Sequence, residues 1–301
     1  RNFLEKGERN MDERDEALKR DRERQRKREE LRQKREEQVK KQKKIAAGVS
    51  ILALVLLIAG IFAGVQISKN IKADKAREKA RQEKLAKEKE QEENTVEFLA
   101  VGDNIAHQAI RESGMQENDV WNYDHVYQYV KKDVEAADLS LVTQETVFVE
   151  DRNNVSGYPT FGTPPEFGDA LVNTGFDVVA HATNHILDKG TKSIEYTLDW
   201  WKTNHPDTKI LGIHESQEAA DEITVIKCKK LKIAMLDYTY GLNGLELPSD
   251  KKYLTDVFDA EKARSDIQRA KEMADVVMVV MHVGVEYQQD VDEETKQWVD
   301  L

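Results

Sequence analysis

Three observations predict an α/β domain carried behind a single membrane-spanning helix. Residues 45–67 form an uncharged, almost wholly apolar run, and a helix of that length, about 34 Å, crosses a hydrocarbon core of about 30 Å. From residue 95 onward, short apolar runs alternate with amphipathic stretches, the pattern of strands and helices in turn. Several of the predicted strands then end on a carboxylate, an amide or an imidazole.

Residues 1–44 carry 18 Lys and Arg against 12 Asp and Glu. The acidic groups are interleaved with the basic ones, so this tail reads as a solvated charged helix or a disordered segment, not a nucleic-acid arm. The run 45–67 is apolar on every side, unlike a core helix. A cleavable signal peptide is disfavoured by the long charged segment ahead of it, and no cysteine follows closely enough for a lipid anchor. Lys40, Lys41, Lys43 and Lys44 place the N-terminus in the cytoplasm by the positive-inside rule, a preference diluted by Lys69, Lys72 and Lys75. Residues 68–94 repeat the charged composition and read as a stiff helical spacer without a heptad seam. Residues 95–301 form the domain, outside the cell.

Within it, 96–101 reads as a strand ending at Gly102-Asp103, 123–137 as a helix, and 139–142 as a strand leading to Gln144-Glu145. Thr163-Pro164-Pro165-Glu166 opens a helix, with Thr163 as cap and Glu166 closing a capping box; it should end near Gly175. A strand over 176–180 then delivers His181, Asn184 and His185. A helix at 191–204, a hairpin from 223–228 and 231–237, and a helix at 260–273 follow. The last strand, 276–281, ends at His282.

Open α/β sheets gather ligands beyond the carboxyl ends of their strands. Asp and Glu oxygens, an Asn carbonyl and His nitrogens suit a divalent ion such as Mn, Zn or Fe. Two such ions would activate a bridging water and hold an electrophile, and an unligated His would protonate the leaving group. Taken singly, Asp103 reads equally as a helix cap, Glu145 as a loop carboxylate, His185 as a packing residue and His282 as a core histidine; their recurrence at strand ends is the signal. His107, His125, His205 and His214 read as ordinary histidines. Residues 96–301 hold 19 basic and 38 acidic groups, a net charge of −19, which excludes nucleic acid and anionic lipid as partners but favours cations. The single cysteine, Cys228, excludes an internal disulfide and reads as a buried, inert thiol.

Phe161-Gly162-Thr163-Pro164-Pro165-Glu166-Phe167, Gly175-Phe176-Asp177-Val178-Val179 and Thr183-Asn184-His185-Ile186-Leu187-Asp188-Lys189-Gly190 closely resemble the central signature of the CapA/PgsA-type poly-γ-glutamate capsule biosynthesis proteins. Gly102-Asp103, Tyr238-Thr239-Tyr240-Gly241-Leu242-Asn243-Gly244 and His282-Val283-Gly284-Val285-Glu286-Tyr287 follow the order of that family's other blocks. The resemblance implies a calcineurin-like metallophosphoesterase fold, a sandwich of β-sheets flanked by helices. It further implies Asp103, Glu145, Asn184 and His282 as metal ligands, His185 as the acid, and Tyr240, Asn243 and Glu286 as substrate-binding residues. The family's Asn-Leu-Glu is Thr143-Gln144-Glu145 in this chain, its Asn before the Asn-His pair is Thr183, and its Trp after the late His is Val283.

Family members continue to a Gly-His-His-Pro-His-like segment, so the resemblance implies that part of the metal site lies beyond Leu301 and that residues 1–301 alone are poorly active. Two functions follow from it. One is a membrane-anchored extracellular hydrolase or transferase that uses divalent ions, two in the full-length protein, and acts on an anionic polymer such as poly-γ-glutamate. The other is a noncatalytic subunit that holds or exports polymer beside other membrane subunits of a capsule synthase. A phosphoester substrate follows from the fold analogy alone.

Overall fold

The computed structural model describes residues 4–116 and 120–301. It contains two compact units, Arg1–Leu85 and Ala86–Leu301. Helix α1 runs over Leu4–Glu93. Every large apolar side chain of residues 45–67 is exposed, from Val65 at 48% to Phe62 at 69%, and this is a helix long and apolar enough to cross a membrane. Its charged stretches carry i,i+4 pairs such as Arg20–Glu16 and Arg32–Glu36, which offset the weak packing of an isolated helix by a few tenths of a kcal/mol each.

The second unit holds two sheets. The first is fully parallel, in the order β1 (Phe98–Asn104), β2 (Leu139–Gln144), β3 (Val178–Ala180) and β4 (Lys209–Leu211). The second pairs β5 (Thr224–Cys228) antiparallel to β6 (Leu231–Thr239), and β6 parallel to β7 (Val276–His282). Strand periodicity of two divides the side chains between faces. Leu139 and Leu141 of β2 and Val178 of β3 meet Ile233 and Met235 of β6, packing the sheets against each other. Val142 and Val179 point the other way, onto α3 (Asp124–Tyr127), α4 (Lys131–Ala136), α5 (Glu166–Thr174) and α6 (Thr191–Asn204) through Tyr127, Val134, Leu171 and Trp201. Ala234, Leu236 and Tyr238 cover Ala263 and Ala270 of α8 (Ala260–Met273). The α/β sandwich flanked by helices is thus the architecture expected. Three short helices, α2 (Gln108–Ser113), α7 (Gln217–Asp221) and α9 (Glu293–Val299), complete the α-helices among the described residues.

Helices α6 and α8 and the β5–β6 hairpin fall where the sequence predicts them, and Gly175 closes α5 at φ +110°. Four expectations need correction. The single helix over 123–137 is broken into α3 and α4, which lets the Tyr127 hydroxyl donate to Asn104 Oδ1 at 2.8 Å while Val134 packs beside Gly175. Thr163 does not cap α5. Its hydroxyl turns inward to Thr146 Oγ1 at 2.5 Å, Pro165 takes the cap position, and Glu166 pairs with Arg152. Strand β1 extends through Asp103, past the predicted end, with its register shifting between Val101 and Asn104. Cys228 is half-buried, its Sγ 3.4 Å from the Asp138 carbonyl, because it ends the edge strand β5.

Candidate functional site

The carboxyl ends of β1, β2, β3 and β7 open on one cleft of about 600 Å³, lined among others by Asp103, Glu145, Asn184, His185 and His282. His282, the last residue of β7, is the hub. Its Nδ1 lies 3.4 Å from Asp103 Oδ1, and its Nε2 lies 2.9 Å from Asn184 Oδ1 and 3.9 Å from Glu145 Oε1. His185 Nε2 faces the other side of the same Glu145 oxygen at 3.8 Å. The Asn184 amide donates to the Tyr240 hydroxyl at 3.2 Å and to Asn243 Oδ1 at 3.1 Å. Glu286 lines the outer wall.

Backbone constraints set these side chains. Asp103 sits at φ +27° and Asn243 at φ +51°, in the left-handed region that costs a non-glycine residue about 1–2 kcal/mol. With Tyr287 at +64°, two of the four non-glycine residues with positive φ among the described residues line the cleft, and a third, Asn243, bonds its Asn184; strain of this kind concentrates at functional sites. The β3 loop is held from beneath by Asp237 of β6, whose Oδ2 accepts from the amides of His181 and Ala182 at 2.9 and 2.8 Å. Gly212 (φ +77°) lets that carboxylate approach, since a Cβ there would meet Asp237 Oδ2 at 2.2 Å. Thr183, in place of the family's Asn, donates its hydroxyl to the Glu145 carbonyl at 2.6 Å. Gln144 is fully buried and spends its amide on Asn104 and Thr146, so it is a strut and not a ligand.

Charge is unevenly held. The hydrogen bond with His282 keeps the Asp103 carboxyl below its usual range against an opposing desolvation. Burial, with Asp103 and Glu286 nearby, pushes Glu145 up despite the two histidines. Burial opposes protonation of His282, but Asp103, Glu145 and Asp237 outweigh it and raise the imidazole. Burial drives Asp237 up to about 7; its Oδ1 has no hydrogen-bond partner.

Two residues escape the sequence reading. Asp188, almost fully buried, holds His185 Nδ1 at 2.7 Å and accepts from the Phe161 amide at 2.7 Å. The Nδ1–H thereby points at the carboxylate and Nε2 is left facing the cleft. The i,i+3 spacing of His185 and Asp188 was the available signal. His107, read as ordinary, lines the cleft and sits edge-on to Phe161 at 5.2 Å. His181, by contrast, leaves the site: it is fully buried, its Nε2 accepting from Trp201 Nε1 at 2.9 Å, with burial driving its pKa to about 3. His205 and His214 are engaged elsewhere, by Asp169 and Asp256.

The oxygen and nitrogen donors have the chemistry of a divalent-cation site. The 3.4 Å between Asp103 and His282 is the separation of two ligands about 2.1 Å from one tetrahedral ion. Among the described residues, however, no three His, Cys, Asp or Glu side chains stand at the spacing of a complete metal site. Asn184 is turned to His282, Tyr240 and Asn243 by hydrogen bonds, and His185 to Asp188.

The class defined by this fold and site is an α/β sandwich with a polar centre at its strand ends. The chain belongs to the family described as bacterial capsule synthesis protein PGA_cap, whose model matches residues 97–300. Among solved structures, a Staphylococcus aureus protein assigned as a 5′-nucleotidase, in complex with alpha-ketoglutarate, is similar at 15% identity and a TM-score of 0.41, covering 67% of this chain and 42% of that chain. This chain thus spans less than half of that structure's length. Comparison with curated proteins gave no match.

Proposed function

We propose that this chain is a membrane-anchored, metal-dependent hydrolase or transferase of capsule assembly, working on an extracellular polymer. The observation that carries the reading is the meeting of Asp103, Glu145, Asn184, His185 and His282, drawn from four strand ends, in one cleft. Asp103 and His282 would hold a Mn, Zn or Fe ion with Glu145 and Asn184 beside them. A bound ion of this kind supplies Lewis acidity and an acidified water. His185, oriented by Asp188, presents Nε2 as the donor to a leaving group. Tyr240 and Asn243 fix the Asn184 amide so that its oxygen faces His282.

In this reading residues 45–67 span the membrane with the N-terminus in the cytoplasm, and 68–94 carry the domain outward. Poly-γ-glutamate is the substrate class suggested by the resemblance; as a polyanion it needs cations between itself and the carboxylates of the cleft. A second reading, a noncatalytic holding or export subunit among other synthase subunits, draws support from the incomplete convergence of the donors. Complementation separates the two. In cells lacking the gene, the full-length protein carrying Asp103→Ala or His185→Ala fails to restore polymer if the site is catalytic. Restoration by both variants refutes catalysis.

A further inference from the structure

A polyanion entering the cleft finds no Lys or Arg in its lining among the described residues. Two of the three histidines there are already engaged, His282 by Asp103 and Asn184 and His185 by Asp188. His107 is not. It is exposed, it directly precedes α2 without its side chain capping the helix, and its ring has no hydrogen-bond or ion-pair partner among the described residues. The ring leans on Phe161, which stands edge-on to it at 5.2 Å and to His185 at 4.9 Å, so the two imidazoles are no more than about 10 Å apart.

Arg111 follows one helical turn later. Its amide donates to the His107 carbonyl at 2.9 Å, which puts both side chains on one face of the turn. The guanidinium packs against Gly157, where a Cβ would come 3.1 Å from Nη1, and the next residue, Tyr158, lines the cleft. Nη1 is buried without a hydrogen-bond partner, and no carboxylate pairs with the group among the described residues. Glu112, the carboxylate of α2, is turned instead to Gln108 Nε2 at 2.8 Å. The acids that line the cleft outside the strand-end centre, Glu286, Asp290 and Asp292, all come from the segment between β7 and α9. An uncompensated positive charge thus stands beside a free imidazole at the rim of an otherwise acidic cleft, and that is where an anion is drawn.

Resting on the reading of this cleft as the site of an anionic polymer, we infer that His107, backed by the charge of Arg111, recognises a carboxylate of the polymer beside the linkage presented to His185. An imidazole N–H donates to a carboxylate oxygen in either protonation state. A γ-linked glutamate repeat advances about 6 Å when extended and carries one free carboxylate, so the carboxylate one repeat from that linkage comes within reach of His107. The contact reads the side group and not the reacting bond, which makes His107 a specificity-determining residue.

The test is calorimetric titration of the full-length protein in detergent with saturating Mn²⁺. The probes are a γ-linked glutamate pentamer and the same pentamer with its free carboxylates converted to carboxamides. Wild type binds the acidic pentamer at least about 10-fold more tightly than the carboxamide. His107→Gln weakens binding of the acidic pentamer by about 5- to 20-fold, the loss of one charge-assisted hydrogen bond at an exposed site, and leaves binding of the carboxamide pentamer and of Mn²⁺ unchanged. His107→Arg, which keeps a donor and a charge, stays within about 3-fold of wild type. Arg111→Gln weakens the acidic pentamer less, by a factor that fades between 50 and 300 mM salt. Undiminished binding of the acidic pentamer by His107→Gln, an equal loss for both pentamers, or no preference of wild type for the acidic one overturns the inference. Should that happen while Asp103→Ala and His185→Ala still abolish polymer production, the proposed function stands and only this contact falls.

Discussion

Asp237→Asn should make the domain more stable in alkali and nearly unchanged in acid. The carboxylate lies between the sheets, fully buried, with one oxygen serving the His181 and Ala182 amides and the other orphaned. Asparagine keeps the accepting oxygen and removes the charge. The folded-state pKa is about 7 against an ordinary 3.8. A carboxyl raised in this way contributes stability that is fully present below pH 4 and is lost as the pH climbs from about 4 to about 7, after which the loss is constant. Three pH units at 1.36 kcal/mol each make the wild-type penalty about 4 kcal/mol above pH 7 and less than about 1 kcal/mol at pH 4. For a domain of about 200 residues this is a Tm gain of roughly 10 °C for the variant at pH 8.5. Trp121, Trp200, Trp201 and Trp298 all lie in the second unit, so tryptophan fluorescence during heating of the full-length protein in detergent and EDTA follows this domain alone. An equal Tm difference at pH 4.5 and 8.5, or a variant less stable at both, would refute the assignment of a buried, strained charge.

Asp188→Asn removes the acceptor that fixes the His185 tautomer and should lower polymer-processing activity by about 100-fold, the lower end of a general acid's contribution, while leaving metal content intact; activity and metal analysis on one sample check it. Gly212→Ala puts a methyl 2.2 Å from Asp237 Oδ2 and 2.6 Å from the Ala182 amide at a positive φ, and should destabilise by at least about 2 kcal/mol, read as a loss of denaturant midpoint. Arg152→Met breaks the half-buried pair with Glu166 at the start of α5. It should cost about 1–2 kcal/mol, with a smaller loss for Arg152→Lys.

The strand ends were legible because each apolar run of five or six residues stops abruptly at a polar side chain, and a parallel sheet aligns those stops. Asp103, Glu145, Asn184 and His185 follow strands of the parallel sheet, and His282 reaches the same cleft from β7 of the second sheet. The elements that were missed are those whose identity is set by tertiary contact. Strand β4 is three residues long, too short to show a period. The break between α3 and α4 answers to Asn104, twenty-three residues upstream from Tyr127. The support of the site was equally hidden: Asp188 is an ordinary loop aspartate until His185 turns to it, and Asp237 interrupts an apolar strand with no sign of the two amides it will hold. His181 and His185 are four residues apart and alike in sequence. Only the fold sends one to Trp201 and the other to the cleft.

The proposed function depends above all on Asp103, Glu145, Asn184 and His282 acting as one cation-binding centre. Metal analysis and Mn²⁺ or Zn²⁺ titration of the full-length protein test that dependence directly. Wild-type protein should retain at least one ion per chain after dialysis, and Asp103→Ala with His282→Ala should retain none while unfolding at a similar temperature in EDTA. Less than one ion per chain in wild type, or undiminished binding in the double variant, would contradict the account.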